Sequence, residues 1–171
     1  MFFGAFDLYT ENLSPIEAMM AYPSYIKATL YYALPIMVFS FEECGKLNKI
    51  IYNNILPKCG LNWHTPRALI FAPTKIGGFN FDHIWTKQLI LHLELFLRHL
   101  WRDDTLGKSI LCNLNCYQLL IGRSVPFFSL NPTIHNYVDL DGCIGMIWSA
   151  LYLLNIHWVI PKLSIISSSY D

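Results

Sequence analysis

The residues best suited to chemistry lie in a stretch rich in proline and glycine, at positions 57–81. Basic and amide side chains suit contacts to phosphate oxygens, and an aromatic ring suits stacking on a base or sugar. Trp63 supplies such a ring in this stretch. The alternative is a structural loop in which Arg67 bonds to carbonyls and Trp63 belongs to the core. We predict that nucleic acid is bound by five residues: Lys58, Asn62, His64, Arg67 and Lys75.

The acidic pair Asp103-Asp104, preceded by Trp101-Arg102, is the second candidate. Reverse transcriptases place an aromatic-x-Asp-Asp sequence on a β-hairpin, where it holds two metal ions for in-line displacement. Here the pair lies between two helical patterns, and no alternating strand pattern flanks it. No third carboxylate precedes it in a strand. We therefore expect a helix cap and assign no catalytic residue.

The pattern of cysteines and acids predicts neither a metal site nor a cofactor. The five cysteines contain no CxxC pair. Cys112 and Cys116 would need His99 or His135 to bind zinc, and that spacing matches no standard site. Unreactive thiols in the core are expected instead. The run 139–142 begins like a calcium loop but lacks the acid at the twelfth position, so we expect a turn and a helix cap there.

Composition and charge restrict the class of protein. The 171 residues amount to about one domain, with 54% apolar and only 14% charged residues. Such a chain has more apolar side chains than its core needs, and a partner would cover the apolar surface that remains exposed. Net charge is zero overall, but residues 22–102 carry nine Lys or Arg against four acids, a balance of +5. This basic middle is a weak indication of a polyanionic partner, and a solvated surface explains it as well.

Two patterns bear on location. The N-terminus has no positively charged region, so we expect no secretion signal and an intracellular protein, in the cytoplasm or nucleus. The run 142–161 has no formal charge and is long enough to cross a bilayer. Asn155, His157 and Pro161 count against such a span. A small helical membrane protein with a span near 142–161 is therefore the alternative class, and a membrane partner is not favoured.

The elements that must position the loop have helical patterns, and the sequence predicts a mainly α fold, an irregular helical bundle. Capping boxes at Ser14 and Ser40 begin two helices. Pro23 is expected to interrupt the first, and Pro35 to stop a second. The Gly77-Gly78 pair indicates a turn or a close approach of backbones. The predicted later helices cover about 25–34, 41–55, 66–71, 83–101, 105–121 and 144–154.

Apolar periodicity predicts which faces of these helices are buried. Asp82 is expected to cap the longest helix, Asp103 or Asp104 the next, and Gly122 to end that one. The predicted buried positions are Leu47, Ile50, Ile51 and Ile55 in the helix after Ser40, Trp85, Leu89, Leu93, Phe96 and Leu100 in the longest helix, and Leu106, Ile110, Leu114 and Ile121 in the next.

From about residue 20 onward, short motifs in a fixed order resemble the region downstream of the palm in non-LTR (LINE-like) retrotransposon reverse transcriptases. Tyr22-Pro23-Ser24-Tyr25 and Tyr31-Tyr32-Ala33-Leu34-Pro35 are similar to the thumb helix. The block that follows the thumb helix in that family is matched in this chain by Leu56-Pro57-Lys58 through Asn62, then by Pro66-Arg67-Ala68, Pro73 and Gly77-Gly78-Phe79. Further matches are His83, Thr86 and Gln88, then Arg98-His99-Leu100, Leu106-Gly107-Lys108, Gln118-Leu119-Leu120 with Gly122, Asp141-Gly142 and Trp148.

The resemblance implies a non-catalytic thumb and post-thumb region that packs behind the palm and supports binding of a template–primer duplex of RNA or DNA. No enzyme is expected, because polymerisation needs the metal-binding aspartates of a palm. The expected partners are the duplex and a palm domain. The implied segments are a palm–thumb junction at 1–21, thumb-like helices at 22–56, the basic loop at 57–81, a long helical pair at 82–123, and a loop with a C-terminal helix and frayed tail at 124–171.

Overall fold

The computed structural model describes residues 13–62, 64–138, 140, 142–158 and 160. The expectations for Trp63, Asp139, Asp141, the first twelve residues and the tail from Pro161 lie outside these described residues. The mainly α fold is confirmed, since the described residues form helices and no strand. The chain divides into two compact units, Met1–Lys87 and Gln88–Asp171.

The helices lie close to their predicted bounds, apart from a π-helix that the sequence did not predict. Three short 3₁₀ helices cover Thr74–Ile76, Phe127–Ser129 and Pro132–His135. The π-helix covers Tyr22–Lys27. The α-helices are α1 at Pro15–Ala21, α2 at Ala28–Ala33, α3 at Phe41–Asn54, α4 at Arg67–Phe71, α5 at Ile84–Arg102, α6 at Thr105–Ile121 and α7 at Cys143–Leu153.

Both capping boxes of the first unit are confirmed. Before α1, the backbone N–H of Ser14 donates to the Glu17 carboxylate at 2.8 Å, and the Ser14 side chain accepts from the Glu17 N–H. Ser40 and Glu43 repeat the arrangement before α3, again at 2.8 Å. Each box satisfies N–H groups that have no partner inside the helix. Local sequence therefore fixes where these two helices begin.

The prediction that Pro23 interrupts the first helix is wrong. The chain stays helical from α1 through the π-helix into α2, and Leu34 ends it just before Pro35, as predicted. A proline has no N–H to donate, and its ring crowds the carbonyl four residues earlier. The wider π turn absorbs both effects without ending the helix.

The prediction that Asp82 caps α5 is also wrong. The Asp82 carboxylate pairs with Lys27 Nζ at 2.7 Å and accepts a hydrogen bond from the Tyr31 hydroxyl. The first N–H of α5, that of Ile84, donates instead to Asn48 Oδ1 at 3.2 Å. Asn48 is 4% exposed, and Ile50, which was predicted to be buried, is 37% exposed. The buried face of α3 therefore includes a polar residue, Asn48, which anchors the start of α5.

In the second unit, α5 buries two polar side chains among its apolar ones. Leu89, Phe96 and Leu100 are buried as predicted, but Gln88 and His92 are also almost fully buried. Gln88 Nε2 lies 2.9 Å from Met146 Sδ, and His92 Nδ1 lies 2.9 Å from Cys143 Sγ. These contacts join α5 to α7. Apolar periodicity cannot find them, because it counts polar residues as exposed.

The helix α6 has the predicted start and end but a different buried face. Asp104 Oδ1 accepts from the Gly107 N–H at 2.8 Å, and Gly122 ends the helix with φ 65°. Leu106 is exposed, contrary to prediction, whereas Gln118 is buried. Gln118 Nε2 donates to the carbonyls of residues 123 and 125 at 2.6 and 2.9 Å, and its Oε1 accepts from the N–H of residue 127. A saturated buried amide therefore holds the chain that follows α6.

The helix α7 covers 11 residues of the uncharged run 142–161, which was the alternative candidate for a membrane span. A spanning helix needs about 20 apolar residues. Among the described residues, no helix is both long enough and apolar enough to cross a bilayer.

We predict opposite effects from two Gly→Ala substitutions inside helices. A Cβ at Gly107 would lie 2.1 Å from the His99 carbonyl oxygen, whereas a Cβ at Gly45 would meet nothing within 4 Å. Gly107→Ala should lower the free energy of unfolding by about 1–3 kcal/mol or more, because backbone atoms must move. Gly45→Ala should raise it by about 0.5–1 kcal/mol through helix propensity. Urea denaturation measures both, and equal effects would contradict the close contact at Gly107.

Candidate functional site

The described residues of the stretch at 57–81 form a loop built on turns. After α3, the N–H of Cys59 donates to the Ile55 carbonyl at 3.0 Å, and Gly60 adopts φ 75°. Asn62 Oδ1 then accepts from the His64 N–H at 2.9 Å, as in an Asx turn. The helix α4 follows Pro66, as the sequence predicted. The candidate binding residues are therefore presented by a defined backbone.

Both interpretations of the glycine pair are correct, one at each position. Gly77 has φ 82°, which makes the turn after the 3₁₀ helix Thr74–Ile76. A Cβ at Gly78 would lie 2.0 Å from the Ala72 carbonyl oxygen, so only glycine allows the close approach. The backbone then bonds back to α4, with the Phe81 N–H donating to the Ile70 carbonyl at 2.9 Å. This return closes the loop against α4.

The structure brings two of the five predicted residues together. Asn62 and Arg67 both line a small cavity of about 50 Å³, with Thr65 between them in sequence. His64 and Lys75 are exposed and do not belong to the lining. Lys58 is half-buried, interacts with other residues of the chain and is likewise outside the lining.

The walls of this cavity, here called the Tyr52 cavity, are mostly apolar. Tyr52 and Phe71 contribute aromatic rings in edge-to-face contact, with centroids 6.1 Å apart. Pro57 and the aliphatic side chains of residues 56, 61 and 70 add further apolar surface to the lining. The sequence interpretation missed both rings. Tyr52 follows the buried Asn48 by four residues and so lies on the same face of α3. Because the burial of Asn48 is visible only in the structure, the sequence carries no such signal for Tyr52.

Burial and the Arg67 guanidinium set the electrostatics of the Tyr52 cavity. Burial raises the pKa of Tyr52 to about 12, against a smaller lowering by Arg67, so the phenol stays protonated at neutral pH. Its hydroxyl oxygen is buried and has no hydrogen-bond partner among the described residues. Burial also lowers the pKa of His83, and the positive charge of Arg67 lowers it further. Arg67 therefore acts on both Tyr52 and His83.

Three basic side chains of the loop lie outside the ion pairs found among the described residues. In the part of the chain that the structure describes, the ion pairs are Lys27–Asp82, Lys46–Glu42 and His99–Asp104. None of them involves His64, Arg67 or Lys75. The charges of Arg67 and Lys75 are thus available to an anionic partner.

The other candidate groups are accounted for structurally. Asp104 caps α6, and its carboxylate also lies 2.6 Å from His99 Nδ1. The Gly107 N–H and then His99 lower the pKa of this carboxyl.

Cys112 and Cys116 are exposed, so the expectation that they are core thiols is wrong. They lie away from the face of α6 that is buried. The described residues contain no group of three or more side chains placed to hold a metal ion.

Comparisons of the chain with protein-family models, curated proteins and solved structures found no match. The resemblance to non-LTR reverse transcriptases therefore stays a prediction based on the order of short motifs.

The position of Arg67 predicts the titration of His83. Replacing Arg67 by glutamine should raise the pKa of His83 towards its ordinary value, because a nearby positive charge is removed. The rise should be incomplete, since burial is the larger cause of the lowering. Titration of the His83 ring by NMR measures the change.

Lys75→Gln is the matched control, because Lys75 is not among the causes of the His83 shift. The pKa of His83 should be unchanged in this variant. Equal shifts in both variants would contradict the placement of Arg67 beside His83.

Proposed function

We propose that this chain is a non-catalytic thumb and post-thumb region of a non-LTR retrotransposon reverse transcriptase. Its loop at 57–81 contacts the backbone of a template–primer duplex. The observation that carries the proposal is that Arg67 and Lys75 are both exposed on this loop and that, among the described residues, neither is in an ion pair. A template–primer partner also implies an intracellular location, in the cytoplasm or nucleus.

The chemistry of the loop suits phosphate contacts. Arg67 presents a guanidinium that can donate two parallel hydrogen bonds to a phosphate, whereas Lys75 supplies a point charge. Lys58, Asn62 and His64 would add further contacts along the same backbone. Such contacts do not depend on base sequence, and salt weakens them because counterions are released on binding.

Exposed apolar side chains support the second partner, a palm domain. Ile16, Met20, Tyr25, Tyr32 and Ile36 each have at least two thirds of their surface exposed. All lie on, or directly after, the continuous helix formed by α1, the π-helix and α2. Large apolar patches on a single chain mark surfaces that a partner covers. In the proposed parent protein, the palm would cover this helix and would supply the catalytic aspartates.

We predict weak, salt-dependent binding to a primer–template duplex. Arg67→Gln and Lys75→Gln should each lower the affinity at low salt. Each should also reduce the slope of log affinity against log salt by about 0.9, the value for one phosphate contact on a duplex. Fluorescence anisotropy with a labelled duplex, repeated over a salt series, measures both quantities.

Lys46→Gln is the matched control. Lys46 is exposed on α3 but pairs with Glu42 at 3.1 Å, so its loss should leave the salt slope unchanged. The proposal is overturned if the wild-type chain does not bind the duplex at low salt. It is also overturned if all three variants bind as the wild type does.

The family proposal has a separate test in genomic DNA. Upstream of the codon for Met1, in frame or out of frame, we expect sequence that encodes a palm with an aromatic-x-Asp-Asp motif. Sequencing a long upstream region checks this expectation. A long region without any palm remnant would count decisively against retroelement origin, whatever the binding experiment gives.

A further inference from the structure

His83 lies just after the loop at 57–81 and contacts the helix α4, which carries Arg67. The rings of His83 and Phe71 meet edge to face, with centroids 6.0 Å apart. Arg67 precedes Phe71 by four residues, so these two side chains lie on one face of α4. His83 is half-buried and Arg67 is exposed, so both retain accessible surface. A ligand at the protein surface can therefore reach both groups.

The hydrogen bonding of His83 determines how its ring can meet such a ligand. His83 Nδ1 lies 3.2 Å from the Thr86 hydroxyl oxygen. A neutral imidazole carries one N–H, whereas an imidazolium carries an N–H on each ring nitrogen. When His83 is protonated, Nδ1 can donate to Thr86 while Nε2 donates to an acceptor of the ligand. Protonation therefore makes His83 a cationic donor near Arg67.

The charges around His83 oppose this protonation in the free chain. Burial and then the positive charge of Arg67 lower the pKa of His83. The neighbouring Asp82 does not offset them, because its carboxylate is already ion-paired and accepts from the Tyr31 hydroxyl. Lys87 of α5 lies over the Tyr31 ring, with Nζ 4.6 Å from the centroid. Among the described residues, no carboxylate forms an ion pair with Arg67 or His83.

A phosphate bound at Arg67 would reverse this effect on His83. Its oxygens can accept hydrogen bonds from the guanidinium and from the imidazolium at once. Its negative charge favours the protonated ring, so the pKa of His83 would rise on binding. Because proton uptake and binding are linked, the affinity must then increase as the pH falls. The increase begins near the pKa of His83 in the complex and ends below its pKa in the free chain.

We infer that Arg67 and protonated His83 together bind one phosphate of the nucleic-acid backbone, and that this contact makes binding dependent on pH. His83 is thus a further contact residue, which the loop sequence did not indicate. The inference rests on the proposed nucleic-acid contact and adds its regulation by protons.

The experiment measures binding of a labelled primer–template duplex by fluorescence anisotropy, at one low salt concentration and several pH values. Between about pH 8 and about pH 5.5, where histidine changes its charge, the wild-type affinity should rise roughly three- to tenfold. Such a factor corresponds to a rise of about half to one in the pKa of a single group on binding. His83→Gln keeps a polar side chain but cannot take up the proton, so it should lose most of this increase.

His157→Gln is the matched control. His157 is also an exposed histidine, and it lies outside the loop and α4. This variant should bind the duplex as the wild type does at each pH, with the same increase in affinity as the pH falls.

NMR titration of His83 in the wild-type chain tests the inference without relying on a variant. In the complex with the duplex, the pKa of His83 should be higher than in the free chain, where burial and Arg67 hold it below 6.5. In Arg67→Gln the phosphate is held less well, so the rise on binding should be smaller. The wild-type titration also keeps the test valid if His83→Gln does not fold.

Two results would overturn the inference and leave the proposed function standing. In the first, the duplex binds with dependence on Arg67, but the pKa of His83 is the same in the complex and in the free chain. In the second, His83→Gln keeps the full pH dependence and His64→Gln loses it. If the duplex does not bind at low salt at any pH, both the proposed function and this inference fail.

Discussion

The carboxylate of Asp82 is the contact on which the first unit depends. It joins Lys27 of the π-helix and Tyr31 of α2 to the segment that enters α5. Lys27 is only 13% exposed and also donates to the Asn80 carbonyl at 2.8 Å. When one partner of such a sheltered pair is removed, the other charge is left poorly solvated. The end of the loop at 57–81 is thereby held against the helix formed by α1, the π-helix and α2.

That anchor explains why a π-helix is found where a break was expected. A π turn contains one residue more than an α turn, so it shifts the register of the helix that follows by one residue. The π-helix ends at Lys27, directly before α2, and Lys27 and Tyr31 reach the same carboxylate. Packing around Asp82 thus compensates for the poorer geometry of the π turn and for the missing N–H of Pro23.

The candidate site follows from the same construction. The loop is closed at one end by the Asx turn at Asn62 and at the other by the close approach of Gly78 to Ala72. Between these two points α4 brings Arg67 and Phe71 into one cavity lining with Tyr52 of α3. A guanidinium held beside a neutral phenol and a histidine of lowered pKa is a positive site with an apolar floor. Asn62 and Arg67, the two predicted residues of this site, therefore share it with Tyr52, which lies outside the loop at 57–81.

The sequence by itself determined the helical class, the helix starts at Ser14, Ser40 and Asp104, and the end at Gly122. These features depend on residues within one turn of each other, so local hydrogen bonds and backbone preferences suffice. Only the tertiary structure decided the roles of Asp82, Asn48, Gln88 and Gln118, and the meeting of Tyr52 with Arg67. Each of these polar groups is satisfied or brought close by a partner from another segment, and the period of apolar residues carries no information about such partners.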